Sequence, residues 1–293
     1  MILSIEHIET LNNPEIEPYK SLRRPIEHLE LGIFVAEGEK VVTRLLKSVL
    51  TIQSILLSQD WFDIYQPLIE KNPRPIKVFI GKKKLLETIV GHSLHQSMMA
   101  LAKVPSPITV EELLLKSDAN SKKLYVLVDG IANAENMGVI VRNCVCFGVD
   151  ALIVMPTSCD PYLRRSVRNS MGNIFQLPIV YLSNLKDDRH LKGDGHLSEI
   201  EKLKQNRIKL YAAHPNPKSV NISEMKFSLQ SCIVLGAEGP GVSQELLDLC
   251  DVFVSIPMKE GVDSLNVASA SAVMLWEFQK KIMPCLSFRA YTK

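Results

Sequence analysis

The sequence predicts an α/β protein in two parts, and three observations carry that prediction. Short apolar, β-branched runs alternate with helical stretches along most of the chain. A stretch near the middle, "PSPITVEELLLKSDANSKK", interrupts the alternation with prolines and then with Ser, Asn and Asp. The length of 293 residues favours two domains over one. The limits follow as 1–104 for a first α/β domain, 105–121 for a linker with one short helix, and 122–293 for a second, larger domain.

In the first part, "GIFVAEG" (32–38) reads as a strand followed by helix 39–49. "TIQSILLS" (51–58) is a second strand, followed by helix 60–71. "IKVFIG" (76–81) precedes helix 82–90, and "QSMMALAKV" (96–104) closes the part as a fourth strand. The second part opens on strand 123–130 and helix 135–147. Strand 151–156 and helix 161–171 follow. Strands 208–214 and 231–236, helix 243–250, strand 252–258 and helix 266–281 complete it. Strands separated by helices imply a mostly parallel sheet covered on both faces. The charged segment 183–205 reads as an exposed loop running into a solvated helix, with His190 and His196 as ordinary surface residues.

Composition excludes several classes. Hydrophobic residues at 46% and charged residues at 23% describe a globular protein, not a disordered one. A net charge of +2 leaves any basic surface to local patches. Such patches are Arg23-Arg24, Lys82-Lys83-Lys84, and Arg164, Arg165 and Arg168. The six cysteines form no C-x-x-C pair or zinc-ligand spacing, so reduced thiols and no metal site are expected. The first eighteen residues lack the basic and apolar regions of a signal peptide, and no apolar run reaches membrane-spanning length. A cytoplasmic protein with no membrane partner is the expectation.

Three stretches carry the chemistry. In "IVLGAEGPGVSQELL" (233–247), glycines fall at 236, 239 and 241. That is neither a G-x-G-x-x-G fingerprint nor a P-loop, so a triphosphate site is disfavoured. A glycine-rich loop after a parallel strand lets a flat ligand approach main-chain groups. A plain strand-to-helix turn explains this stretch equally well, and Ser243 is placed to cap the next helix. In "DGIANAENMGVIVRNCVCFG" (129–148), Met137, Ile140, Val141, Cys144, Val145 and Gly148 share one helical stripe. Arg142 and Asn143 are the strongly polar groups in that helix, and an arginine there needs a carboxylate, a phosphate or water. In "PMKEGVDSLNVASASAVMLWE" (257–277), Ser264 and Asn266 precede a helix rich in Ala and Ser, whose small side chains permit close backbone approach.

Together these stretches resemble the SpoU/TrmH family of RNA ribose 2′-O-methyltransferases, within the SPOUT superfamily. Asn136, Arg142 and Phe147-Gly148 are similar to the family's opening motif, "LGAEGPGVS" to its second and "SLNVASASA" to its third. "RRSVRNSMGN" (164–173) resembles the Ser-x-Gly element between the first two. The likeness covers roughly 123–281; residues 1–104 more weakly resemble the family's RNA-binding N-terminal domain, built like a small ribosomal protein. Ala237 stands where the second motif often has a polar residue, and the insertion at 184–196 is longer than the family pattern.

The resemblance implies a trefoil-knotted C-terminal domain, S-adenosylmethionine as methyl donor, and a homodimer with the active site at the subunit interface. It implies ribosomal RNA as substrate in preference to transfer RNA, with a catalytically inactive RNA-binding relative as the competing reading. The cofactor would be held by Leu235, Gly236, Ala237, Glu238, Gly239 and Gly241, by Ile256 and Met258, and by Ser264, Leu265 and Asn266. By the same resemblance Arg142 activates the ribose hydroxyl, Asn136 and Ser264 position it, and Glu238 braces the site. A guanidinium with a pKa above about 12 is a poor base. Either the site makes neutral Arg142 accessible, or the cation stabilises a developing alkoxide while gripping phosphate. Arg164, Arg165 and Arg168 are expected to contact RNA phosphates.

Overall fold

The computed structural model describes residues 1–21, 25–90, 98–115, 121–182, 195–262 and 264–282. The chain divides into two compact units, Met1–Ser106 with Asp160–Gln176, and Pro107–Cys159 with Leu177–Lys293. The sequence assigns residues 160–176 to the second part; in the structure they pack in the first unit.

The first unit is built on strands β1 (Ile2–Ile8), β2 (Ile33–Glu37), β3 (Ile52–Leu57), β4 (Ile76–Gly81) and β5 (Met98–Lys103). Among them run helices α1 (Glu17–Lys20), α2 (Pro25–Glu30), α3 (Glu39–Leu46), α4 (Gln59–Glu70) and α5 (Lys83–Val90). The sheet order is β1-β4-β3-β5-β2. β4 is parallel to β1 and β3, whereas β5 is antiparallel to β2 and β3. Tyr19, Val35, Leu56, Phe79 and Met99 lie in its core. The buried Tyr19 hydroxyl meets Ser54 Oγ at 2.8 Å and accepts the Leu101 N–H at 3.1 Å, so no polar group there is stranded.

The second unit holds α6 (Val110–Leu115), β6 (Lys123–Val128), α7 (Ala134–Cys146), β7 (Ala151–Val154), β8 (Ile179–Tyr181), α9 (Gly195–Gln205) and β9 (Lys209–Ala213). After these come β10 (Val220–Asn221), β11 (Gln230–Leu235), α10 (Gln244–Leu249), β12 (Val252–Ser255) and α11 (Val267–Ile282). (α8, Arg164–Asn169, falls in the first unit.) The seven strands run β10-β12-β9-β11-β6-β7-β8, and every neighbouring pair is parallel. Burial follows from that topology. Every residue of β11 and β7 is buried, as parallel strands covered on both faces require. Tyr125, Leu127, Ile153, Leu210 and Val234 pack one face against α6, α9 and α10. α7 and α11 pack against each other, burying Met137, Ile140, Val141 and Cys144 of one and Met274, Leu275 and Phe278 of the other.

The expected strands are present, and the structure adds β1, β8 and β10, which alternation did not mark. All three are edge strands. An edge strand is short or half-exposed, so its residues need no apolar run; most of β1 is open to solvent. His190 and the Arg23-Arg24 pair lie outside the described residues, whereas His196 opens α9. No helix among the described residues is long and apolar enough to cross a membrane.

Candidate active site

The glycine-rich loop folds back on itself as β11 ends. Ala237 N–H donates to Gly241 C=O at 2.9 Å and Gly241 N–H to Ala237 C=O at 3.0 Å, closing a small antiparallel bridge. Only glycine fits at the base of that bridge: a Cβ on Gly236 would stand 2.2 Å from the main chain of Gly241 and Val242. Gly130 is held to glycine beside it, because a Cβ there would stand 3.0 Å from the Ala237 methyl group at a φ of +68°. A buried carboxylate anchors the loop. Asp129, at the end of β6, donates its N–H to Leu235 C=O at 2.9 Å. Its carboxylate accepts from Thr157 Oγ1 and from Ser243 N–H, both at 2.8 Å. Ser243 thus meets the loop through its main chain; its hydroxyl makes no capping bond to α10, contrary to the expectation.

This loop, the ends of β9 and β12 and the start of α11 enclose a cleft of about 470 Å³. It opens at the carboxyl ends of neighbouring parallel strands, where open α/β sheets hold ligands. Leu235, Gly236, Ala237, Glu238, Gly239 and Gly241 line it, as do Ile256, Met258, Ser264, Leu265 and Asn266. All eleven residues expected to hold the cofactor therefore border one cavity.

A hydrogen-bonded cluster ties the three motifs together at its rim. Asn136 Nδ2 donates to Glu238 Oε1 at 2.9 Å, and Asn266 Nδ2 donates to the same oxygen at 2.6 Å and to Asn136 Oδ1 at 3.1 Å. Asn266 Oδ1 meanwhile accepts from Ala268 N–H and Ser269 N–H at 3.0 and 3.2 Å, capping α11. The cap is Asn266 rather than Ser264, whose side chain is exposed in the cleft wall. Asn133 caps α7 in the same way, through Glu135 N–H at 2.7 Å. Asn143 Nδ2 crosses from α7 to Ala268 C=O at 2.9 Å and Ser271 Oγ at 2.8 Å, so the two motif helices are locked in register. Cys144 in that seam is fully buried, which pushes its thiol far above the usual range and leaves it an inert apolar group.

Arg142 stands apart. It is exposed on α7, is not among the cleft residues, and has no hydrogen bond or ion pair among the described residues. The arginines of α8 lie in the first unit and divide in two. Arg164 donates through Nε to Glu37 Oε2 at 2.9 Å, and its NH2 approaches the same oxygen at 2.6 Å. Arg168 approaches Glu37 Oε1 at 3.7 Å. Glu37 is buried at the end of β2, so Arg164 is committed to an internal partner. Arg165 is exposed and has no such partner.

Several cleft and anchor residues were not foreseen, Asp129, Asn133 and His214 among them. Asp129 and His214 sit at the carboxyl ends of β6 and β9, and that position was the available signal. Asn133 follows the N-cap preference for Asn just before an apolar helix.

The model of the SpoU rRNA Methylase family matches residues 123–276. An uncharacterized tRNA/rRNA methyltransferase of Mycobacterium tuberculosis is 27% identical, over 94% of this chain and 92% of its own. The 23S rRNA (guanosine(2553)-2′-O)-methyltransferase of Bacillus subtilis is 23% identical, over 94% and 100%. Among solved structures, the AdoMet-bound rRNA methyltransferase from Sinorhizobium meliloti superposes with a TM-score of 0.76 at 21% identity, over 95% of this chain and 99% of the other. The SpoU methyltransferase AviRb from Streptomyces viridochromogenes, in complex with AdoMet, gives 0.73 at 22%, over 92% and 98%. With more than half of its length matched by the family model, and with Asn136, Glu238 and Asn266 of the three motifs joined at the rim of one cleft, the chain belongs to the SpoU rRNA methylase family.

Proposed function

We propose that this protein transfers a methyl group from S-adenosylmethionine to a ribose 2′-hydroxyl of structured RNA, ribosomal RNA in preference to transfer RNA. The observation that carries the reading is the convergence of three distant motifs, through Asn136, Glu238 and Asn266, on the rim of one cleft. The name of the Bacillus relative supports the choice of ribosomal RNA and of the ribose position.

The cleft suits the cofactor by size and charge. Its volume falls in the range of small-molecule sites, about 300–1,000 Å³. Leu235, Ile256, Leu265 and Val267 supply apolar wall for a flat base. Among the described residues no lysine or arginine lines it, whereas Glu238 sits at the rim, so the field favours a cation such as a sulfonium. When bound, S-adenosylmethionine supplies an activated methyl group. The chain's own residues must hold the acceptor oxygen in line with it, which alone is worth about 7–11 kcal/mol in favourable cases. Asn136 and Asn266 fix Glu238, and Ser264 offers a hydroxyl to the acceptor sugar. Arg142 stays cationic, grips phosphate and stabilises the developing alkoxide; the hydroxyl proton passes to solvent water as the new O–CH3 bond replaces the donor's S–CH3 bond and S-adenosylhomocysteine leaves.

Because Arg142 lies outside the cleft, the complete site needs a second copy of the chain. Val273 and Trp276, exposed on α11, and Phe147, edge-on to Trp276 at 6.3 Å, support an interface on this face. Family membership and the placement of β12 beside β9 support the knotted passage of β12 and α11. Residues 1–104 serve as the substrate-binding domain, in the cytoplasm.

Mapping 2′-O-methylation in total RNA from cells with and without the protein tests the reading directly; loss of one ribosomal site is the expected result. With purified protein, Arg142→Ala should abolish transfer while S-adenosylmethionine affinity, read by calorimetry, stays within about twofold. Full transfer by that variant removes Arg142 from the mechanism.

A further inference from the structure

We infer that His214 binds the carboxylate of the cofactor's amino-acid tail and makes the cleft select nucleosides that carry that tail. The inference rests on the cofactor reading above. His214 follows β9 directly, and its main chain is pinned on both sides. Its N–H donates to Val254 C=O at 3.1 Å, and its C=O accepts from Ser219 Oγ at 2.6 Å. The imidazole is seated edge-on against Phe253, with centroids 5.8 Å apart. A Cβ built on Gly241 would lie 3.9 Å from Nδ1, so this nitrogen lies beside the glycine loop, and both residues line the cleft. Neither ring nitrogen has a hydrogen bond among the described residues.

The choice of ligand group follows from the rest of the wall. Its polar side chains are His214, Glu238, Ser255, Ser264 and Asn266. The Asn266 amide is spent on Asn136, Glu238 and the α11 cap. Ala237 and Gly241 have spent their N–H groups on each other. Glu238 repels an anion. Among the described residues, His214 is the one lining side chain that can bear positive charge. A carboxylate brought into a cleft needs donors, and charge-assisted ones are the strongest. The cofactor's cations and its anion thus find lining groups of opposite charge, Glu238 and His214.

Calorimetry on the full chain tests this with four ligands: S-adenosylmethionine, S-adenosylhomocysteine, decarboxylated S-adenosylmethionine and 5′-methylthioadenosine. The wild-type protein should bind S-adenosylmethionine roughly tenfold more tightly than its decarboxylated form. His214→Ala should lose roughly tenfold for the two carboxylate ligands and nothing for the other two, and His214→Gln, which keeps a donor, should recover part of the loss. Equal affinity of the wild type for S-adenosylmethionine and its decarboxylated form overturns the inference without any variant. So does an equal loss for all four ligands in a His214→Ala protein that melts like the wild type. If the wild type binds none of the four, the cofactor reading itself falls.

Discussion

Asn266 joins stability and chemistry in one side chain. Its oxygen caps α11, and its amide holds Glu238 and Asn136. The two roles separate by substitution. Asn266→Ala should lower stability by about 1 kcal/mol in urea denaturation, the usual worth of an N-cap. Asn266→Asp keeps a capping oxygen but sets a second carboxylate against Glu238. Like charges raise one another's pKa, so transfer by this variant should be poorest at neutral and alkaline pH and recover toward pH 5. A flat pH profile with full activity would dismiss the amide's role. Among the described residues, His214 and Arg142 make a contrasting pair: one lines the cleft without a polar partner for its ring, and the other has no hydrogen-bond or ion-pair partner and lies outside it.

At the level of elements, the Gly236–Gly241 turn and α8 each make a claim. Gly236→Ala forces a methyl group into the main chain of Gly241 and Val242, so the loop must open. Thermal melting should fall and cofactor binding should vanish. Gly239→Ala meets no atom within 4 Å and carries only the cost of its left-handed φ of 89°, about 1–2 kcal/mol. It should keep measurable binding; equal damage from both variants would show that steric closure is not what the turn requires. In α8, Arg164 lies against Glu37. Removing it leaves the buried Glu37 carboxylate only the longer Arg168 contact, at a cost of up to about 3 kcal/mol. The phosphate contact expected of this cluster is then assigned to Arg165 and, in part, Arg168. Neutralising Arg165 should lower the salt slope of RNA binding by about 1 with melting unchanged, whereas Arg164→Ala should act mainly on melting. An unchanged slope in Arg165→Ala counts against contact there.

For the whole molecule, the exposed position of Arg142 predicts complementation. Mixing Arg142→Ala chains with Glu238→Lys chains, each inactive alone, should restore transfer, because a mixed dimer holds one intact cleft facing one intact Arg142. Sedimentation should show a dimer in both variants. Activity that never returns in verified mixed dimers would place Arg142 and the cleft of a single chain in the same site.

How much was legible follows from the range of the interactions. The core strands of both units and the helices between them could be read from the chain, because burial on a sheet writes itself as apolar runs and turn chemistry as glycines, whereas the residues around the cleft came from the resemblance of three motifs to a family. The edge strands could not, since they bury too little to leave a pattern. Composition and periodicity stop at about one helix or strand. That Glu238 meets Asn136 across 102 positions, that Asp129 reaches Ser243, and that Arg164 belongs to Glu37 are long-range pairings, fixed only when the chain closes on itself. The sequence by itself determined the family and the cleft's inventory. Only the tertiary structure decided which polar groups are satisfied inside the molecule and which are left for a ligand, because hydrogen-bond partners distant in sequence are chosen by packing, not by local propensity.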